Sequence, residues 1–266
     1  MSFQLSPTFR EQLAGAERPL VGLWVTSGSP VVAEICAGSG VDWLLIDMEH
    51  AANGLESVLA QLQAVGAYPI TPVVRVPSGD PVVIKQVLDL GAQTIIVPMV
   101  GSAAEAEALV RATRYAPEGI RGVGSALARS ARWNRVEGYL AHAQRHVTLI
   151  VQIESAEAVE HAAEIAAVDG VDGVFVGPAD LAASMGVIGQ QAHPDVTAAV
   201  HRVFEAARAA GTPVGVNAFD PQVADAYLAA GADFIAVGAD VTLLARGSQD
   251  LAARFGAGES NPLAGY

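Results

Sequence analysis

Seven polar residues of this chain follow short apolar runs and are of the types that perform carbon–carbon bond chemistry: Asp47, His50, Arg75, Gln152, Glu154, Asp180 and, on a helical stretch, Asp89. Glu154 and Asp180 are candidate ligands for a hard divalent cation. Mg²⁺ and Mn²⁺ favour oxygen donors, and Mg²⁺ is often held by only one or two carboxylates, with water and substrate filling the other positions. A 2-oxo acid suits those open positions, because it chelates through a carboxylate oxygen and its keto oxygen and the ion then polarises the carbonyl. The plainer alternative makes Glu154 a helix-start residue and Asp180 a helix cap. His50 stands in an Asp-Met-Glu-His run, where neighbouring carboxylates tune an imidazole toward base work near neutral pH. Arg75 is flanked by valines, so its guanidinium either pairs with a buried acid or faces an anion in the site. The Gly177-Pro178-Ala179-Asp180 turn opens a helix and presents backbone N–H groups suited to a substrate carboxylate. Lys85 is the only lysine and lies inside a helical stretch, which argues against Schiff-base aldol chemistry.

These residues must be carried by elements that bring distant positions together. GVDWLLID (40–47), GAQTIIVP (91–98), GVDGVFVG (170–177) and GADFIAVG (231–238) share one pattern: a glycine able to end a helix in the left-handed conformation, then an apolar strand buried on both faces. Further strands are predicted at 20–26, 71–76, 148–153 and 213–216. Helices are predicted at 30–39, 55–67, 80–90, 103–113, 156–167, 194–210, 221–230 and 241–255, most with apolar spacings of three and four. Eight strand–helix pairs spell a single-domain (β/α)8 TIM barrel over residues 1–255, with a flexible tail at 256–266. An open doubly wound sheet fits less well, since the first turn reads Thr-Ser-Gly-Ser-Pro (26–30) and no GxGxxG opens a helix. In such a barrel the carboxyl ends of the strands form the site, and the candidate residues, Asp89 apart, fall at those ends.

Composition narrows the partners. In 266 residues, 15 basic and 28 acidic side chains give a formal charge of −13, which excludes an electrostatic nucleic-acid binder. With 52% apolar and 16% charged residues the chain can bury a large core. The longest run without an ionisable charge, 57–74, is broken by two prolines and two glutamines and predicts no membrane span. The amino-terminal sequence reads as a cytoplasmic start. The single cysteine, Cys36, falls within a predicted helix, as packing and not as a nucleophile. Six arginines against one glutamate between 111 and 135 read as a solvated or salt-bridged cluster before an anion site, and the glycine-rich stretch 119–125 is able to lean over a rim.

At these residues the sequence resembles the metal-dependent, class II pyruvate aldolases of the 4-hydroxy-2-oxoheptanedioate aldolase family. The resemblance runs from GLW (22–24) to TLLARG (242–247) through DWLLIDMEHAAN (42–53), IKQVLDLGAQTIIVPMV (84–100), RYAPEGIRGVGSALARSARWN (114–134), VQIES (151–155) and GVDGVFVGPADLAASMG (170–186). It implies reversible cleavage of a 4-hydroxy-2-oxo acid to pyruvate and an aldehyde. Glu154 and Asp180 would hold Mg²⁺, Mn²⁺ or a similar ion such as Co²⁺. His50, paired with Asp89, would be the base, acting through a metal-bound water. Arg75 would steady the keto oxygen, the backbone of Ala179 and Asp180 would hold the pyruvate carboxylate, and Asp47 and Gln152 would support them. The resemblance also implies a homo-hexamer with an exchanged carboxy-terminal helix. Asp89 at a helix end is an awkward address for a dyad, which points to a different geometry or a neighbouring subunit. Two departures stand out. The family's EHAPN is Glu49-His50-Ala51-Ala52-Asn53, expected to loosen the loop bearing the base, and VGVNAF (214–219) replaces bulkier aliphatics of the aldehyde pocket. Rival readings are a metal-enolate lyase of the same barrel acting on an acyl-CoA, and a non-catalytic oxo-acid-binding scaffold. The latter leaves a base and a guanidinium without a task.

Overall fold

Eight parallel strands close on themselves in the computed structural model, which describes residues 3–256. They are β1 (Leu20–Val25), β2 (Trp43–Asp47), β3 (Thr71–Arg75), β4 (Thr94–Val97), β5 (Thr148–Ile153), β6 (Gly173–Val176), β7 (Val214–Asn217) and β8 (Phe234–Ala239). Each pairs with the next and β8 returns to β1, so the open-sheet alternative falls. The helices are α1 (Phe9–Gly15), α2 (Pro30–Ala37), α3 (Leu55–Ala64), α4 (Pro81–Asp89), α5 (Ala103–Thr113), α6 (Tyr139–His142), α7 (Ala156–Glu160), α8 (Ala162–Ala166), α9 (Pro178–Ser184), α10 (Pro194–Ala210), α11 (Pro221–Ala229) and α12 (Asp240–Arg254). No helix among the described residues is long and apolar enough to cross a membrane. The expected tail lies outside the described residues beyond Gly256.

Local chemistry sets the ends of these elements. The side chains of Ser29, Asp80 and Asp220 accept from backbone N–H groups of the first turns of α2, α4 and α11, each of which has proline at its start. The four repeat glycines, Gly40, Gly91, Gly170 and Gly231, all take left-handed φ values between 93° and 99°, turning the chain from a helix into the next strand.

Side chains fill the lumen. Trp43, Phe175 and Phe234 stack within it, with ring centroids 5.9 Å apart for both pairs involving Phe234. Gly22 and Gly215 face these rings, and a Cβ at either position would run into Trp43 or Phe234. The amino end is stoppered by Phe9 of α1, edge-on to Phe234 at 5.3 Å. The sequence reading passed over α1, although Thr8 and Glu11 form the reciprocal capping box that marks a helix start. It also took 156–167 as one helix, where the chain breaks at His161 into α7 and α8, and it did not count α9 as a helix of its own.

The arginine-rich segment does not reach the carboxyl-end rim. It packs at the opposite end, on the last turn of α4: Arg121 is wholly buried against Asp89 at 2.8 Å and over the Tyr115 ring, and Arg129 donates to Leu90 O. Burial lowers Arg129 to about 10, with the neighbouring Arg132 adding to the effect. The cluster is thus tied into its own chain by a buried ion pair, where it was expected to be solvated or bridged to another subunit, and 119–125 does not overhang the site of its own chain. Cys36 is buried in α2, and that burial raises its thiol pKa.

Candidate functional site

The parallel register sets Asp47, the last residue of β2, directly beside Arg75, the last residue of β3. Both point into the mouth of the barrel, 1% and 4% exposed. The carboxylate takes Arg75 Nε and Nη2 in a two-pronged fork, each arm 2.8 Å. The buried pairing of Arg75 and its place at the mouth of the barrel are therefore one arrangement and not alternatives. Arg75 Nη1 lies 2.9 Å from Glu49 Oε2, at ion-pair distance but outside hydrogen-bond geometry, and the guanidinium rests 4.3 Å from the Trp24 ring centroid. Asp47, Glu49 and a face of Trp24 thus fix the group, while three of its five N–H bonds, two on Nη1 and one on Nη2, make no hydrogen bond among the described residues.

The loop bearing His50 is firmly tied. Asp47 also accepts from the backbone N–H groups of Glu49 and His50, at 3.0 and 3.3 Å. Asn53 donates to Asp47 O at 2.7 Å and accepts from Ser57 Oγ and the buried Gln61 Nε2. With alanine at position 52, the loop is held by these hydrogen bonds at both ends. His50 itself is open at the rim, its side chain 65% exposed and 4.0 Å from Glu49. Asp89 is not brought to it within this chain. It ends α4, at the amino end of the barrel, and is engaged by Arg121.

Glu154 follows β5 and is 2% exposed. Its Oε1 accepts from Met99 N at 2.8 Å and its Oε2 from Gln152 Nε2. Met99 reaches it from a left-handed backbone, φ 56°, a strained conformation for a side chain of this kind. Burial pushes Glu154 up to about 7, with Asp180 and Glu49 adding like charge and the two hydrogen bonds opposing. Burial raises Glu49 as well, against the pull of Arg75 and His50. Asp180 sits in the first turn of α9, after β6. Gly177 caps that helix without a side chain and Pro178 carries no N–H, so the N–H groups of Ala179 and Asp180 are free of capping partners.

Three observations fit this corner to a cation. A Cβ on Gly177 would stand 2.5 Å from Glu154 Oε2 and 2.9 Å from Gln152 Nε2, so only glycine keeps the space open. Gln152 Oε1 is buried without a partner among the described residues. Asp180 and Glu49 add like charge that raises the proton affinity of Glu154, the signature of a site short of positive charge. No group of three or more His, Cys, Asp or Glu among the described residues could cage a metal, so an ion at this corner would have to take its remaining ligands from water and substrate. A cavity of about 410 Å³ opens beside Glu49 and Met99, walled largely by Val97, Pro98 and Leu109.

The structure assembles Asp47, Arg75, Gln152, Glu154, Ala179 and Asp180 at one end of the barrel with His50 on its rim. Glu49, Met99, Trp24 and Asn217, whose Oδ1 accepts from Trp24 Nε1, were not singled out from sequence. Period-two alternation within β1 and β7 carried a signal for the last two. Met99 acts through its backbone and carried none.

A profile describing the HpcH/HpaI aldolase/citrate lyase family matches residues 20–247. A hydroxypyruvate/pyruvate aldolase of Deinococcus radiodurans is 56% identical over 251 residues, spanning 94% of this chain and 90% of that protein. A 4-hydroxy-2-oxo-heptane-1,7-dioate aldolase of Escherichia coli is 54% identical over 242 residues, 91% of this chain and 92% of that one. Among solved structures, an HpcH/HpaI aldolase/citrate lyase family protein from Burkholderia cenocepacia superposes with a TM-score of 0.88 at 43% identity, covering 92% of this chain and 98% of that chain. A match that runs through every strand of the barrel, with relatives more than half identical over most of its length, makes this chain a member of the HpcH/HpaI aldolase/citrate lyase family.

Proposed function

We propose that the chain is a divalent-metal-dependent pyruvate aldolase, a carbon–carbon lyase that reversibly cleaves a 4-hydroxy-2-oxo acid to pyruvate and an aldehyde. The observation that carries this reading is the buried Asp47–Arg75 fork facing the Glu154–Asp180 corner, with a histidine on the rim above. Glu154 and Asp180 would hold the ion, which when bound supplies Lewis-acid polarisation of the 2-keto group. The free N–H groups of Ala179 and Asp180 bind the substrate carboxylate. The N–H bonds of Arg75 that Asp47 leaves free meet the keto oxygen and gain strength as it becomes an enolate oxygen. In cleavage, His50 removes the C4 hydroxyl proton and the C3–C4 bond breaks. Its electron pair moves into the C2–C3 bond and onto the keto oxygen, and a proton then returns to C3. Gln152 orients Glu154, and Asp47 holds Arg75.

Treatment with a chelator is expected to abolish exchange of the pyruvate methyl protons with D₂O, followed by NMR, and Mn²⁺ or Mg²⁺ to restore it. Exchange that persists in metal-free protein sinks the proposal. A second expectation concerns pH. Because Glu154 is raised to about 7 in the metal-free protein, it is protonated below that pH and a cation must displace the proton. Mn²⁺ affinity, measured by titration calorimetry between pH 5.5 and 8, should weaken by up to about tenfold per unit below 7 and level off above it. A flat profile would show that Glu154 is not a ligand.

The same reading assigns Asp89 to a partner subunit's His50. Its place at the amino end, on Arg121, rules out the dyad within one chain but not between copies. Leu243, Leu244 and Leu251 of α12 and Val31 and Ile35 of α2 are exposed, as a hexamer that exchanges its last helix requires.

A further inference from the structure

Asn217 ends β7 two residues beyond Gly215, whose missing Cβ faces the Phe234 ring, so strand alternation turns Asn217 toward the lumen at the mouth of the barrel. Its Oδ1 lies 2.7 Å from Trp24 Nε1. An indole N–H only donates, so the amide must offer its oxygen there, and the NH₂ end is turned away from Trp24. Trp24 is buried while Asn217 is half-buried, so the end of the amide open to the mouth is the NH₂, which has no partner among the described residues. The same Trp24 ring carries the Arg75 guanidinium, which sets Asn217 beside the reacting end of the site. The strand neighbours of Asn217 and Trp24 on β8 are Ala236 and Ala239, both apolar. Beside Ala236 and Ala239 the Asn217 NH₂ is a donor without a partner among the described residues.

We propose that Asn217 determines acceptor specificity, donating from Nδ2 to an oxygen carried on the carbon next to the aldehyde. The site then favours aldehydes with a hydroxyl, ether or oxo oxygen at C2 over alkyl aldehydes. The assignment rests on the aldolase reading. In the synthetic direction C3 of the pyruvate enolate bonds to the aldehyde carbon, and the former aldehyde oxygen takes up a proton. Asn217 takes no part in that exchange of bonds and positions the acceptor for it.

Methoxyacetaldehyde and butanal test this, since they match in chain length and differ by an ether oxygen that accepts but cannot donate. With pyruvate and Mn²⁺, kcat/KM is measured for both aldehydes in the wild-type protein, Asn217→Asp and Asn217→Leu. The aspartate keeps an oxygen for Trp24 and loses the donor, whereas the leucine loses both and keeps the bulk. The ratio of methoxyacetaldehyde to butanal is expected to fall about tenfold in both variants. Because each variant is its own reference, altered folding or pyruvate handling cancels. If one variant does not fold, the other decides. A ratio within about twofold of wild type in a folded variant overturns the assignment. Wild-type protein that fails to exchange pyruvate methyl protons brings down the aldolase reading itself, whereas normal exchange with an unmoved ratio brings down the acceptor assignment alone.

Discussion

Arg75→Lys is expected to lower kcat by about 100- to 1,000-fold while costing the fold only about 1–2 kcal/mol. The large effect follows from geometry. Arg75 is gripped from three sides, by the two oxygens of Asp47, by Glu49 and by the Trp24 face, and what remains of its donors is aimed by that grip. A lysine ammonium at the same place has no planar fork. It can satisfy Asp47 or reach the keto oxygen, but it does not do both in one fixed geometry. Losing an aimed donor at a developing oxyanion costs two to three orders of magnitude in comparable sites. The small effect on folding has its own cause. Asp47 keeps the N–H groups of Glu49 and His50 and still faces a positive charge, so no buried carboxylate is stranded. Steady-state kinetics on a pyruvate adduct, set beside the thermal midpoint, reads both quantities. Turnover within a few-fold of wild type would make Arg75 a structural partner of Asp47 and nothing more.

The sequence alone encodes period and punctuation. Four of the eight strands announce themselves as apolar runs between a left-handed glycine and a polar turn, and Gly40, Gly91, Gly170 and Gly231 take the backbone conformation that pattern implies, while the other four read as apolar runs bounded by turn residues. Strand-end positions then follow by counting, which is why Asp47, Arg75, Gln152, Glu154 and Asp180 could be nominated together. Two kinds of information were out of reach. Interactions made by backbone atoms leave no residue-type trace, so the Met99 N–H on Glu154 could not be foreseen. Long-range side-chain contacts depend on which face of the barrel a segment packs against. The arginine-rich stretch was compatible with either end, and the ion pair between Arg121 and Asp89 decides for the amino end. The same contact removes Asp89 from His50 in a single chain, a conclusion that the helix-end position of Asp89 already hinted at. Glu49 was hidden for another reason: it follows β2 beside two other acidic or basic candidates, and only the fold shows that it turns inward to Arg75.

Glu154→Gln should weaken Mn²⁺ binding by at least about 100-fold and abolish pyruvate proton exchange, yet leave the metal-free protein more stable than wild type at pH 8. The substitution is nearly isosteric. The new amide oxygen can accept from Met99 N as Oε1 does now, and its NH₂ then meets Gln152, which needs only to rotate its own amide and present the buried, partnerless Oε1. The corner therefore remains hydrogen-bonded without its negative charge. The stability gain has a definite sign in pH. Glu154 is raised from 4.5 to about 7 in the folded chain, so the folded state holds the proton more tightly than the unfolded one. The stability this contributes is complete below about 4.5 and is lost as pH rises through about 7. Glutamine has no such loss. The stability of the variant over metal-free wild type should thus be near its smallest at pH 5 and grow toward pH 8, to at most about 3 kcal/mol. Saturating Mn²⁺ should reverse the order at pH 8, because only the wild type gains from the ion. Thermal melts at both pH values, with and without Mn²⁺, give four comparisons from two proteins. If the two proteins melt alike at pH 8 in chelator, the raised proton affinity of Glu154 is wrong. If Mn²⁺ stabilises both equally, the ion binds elsewhere.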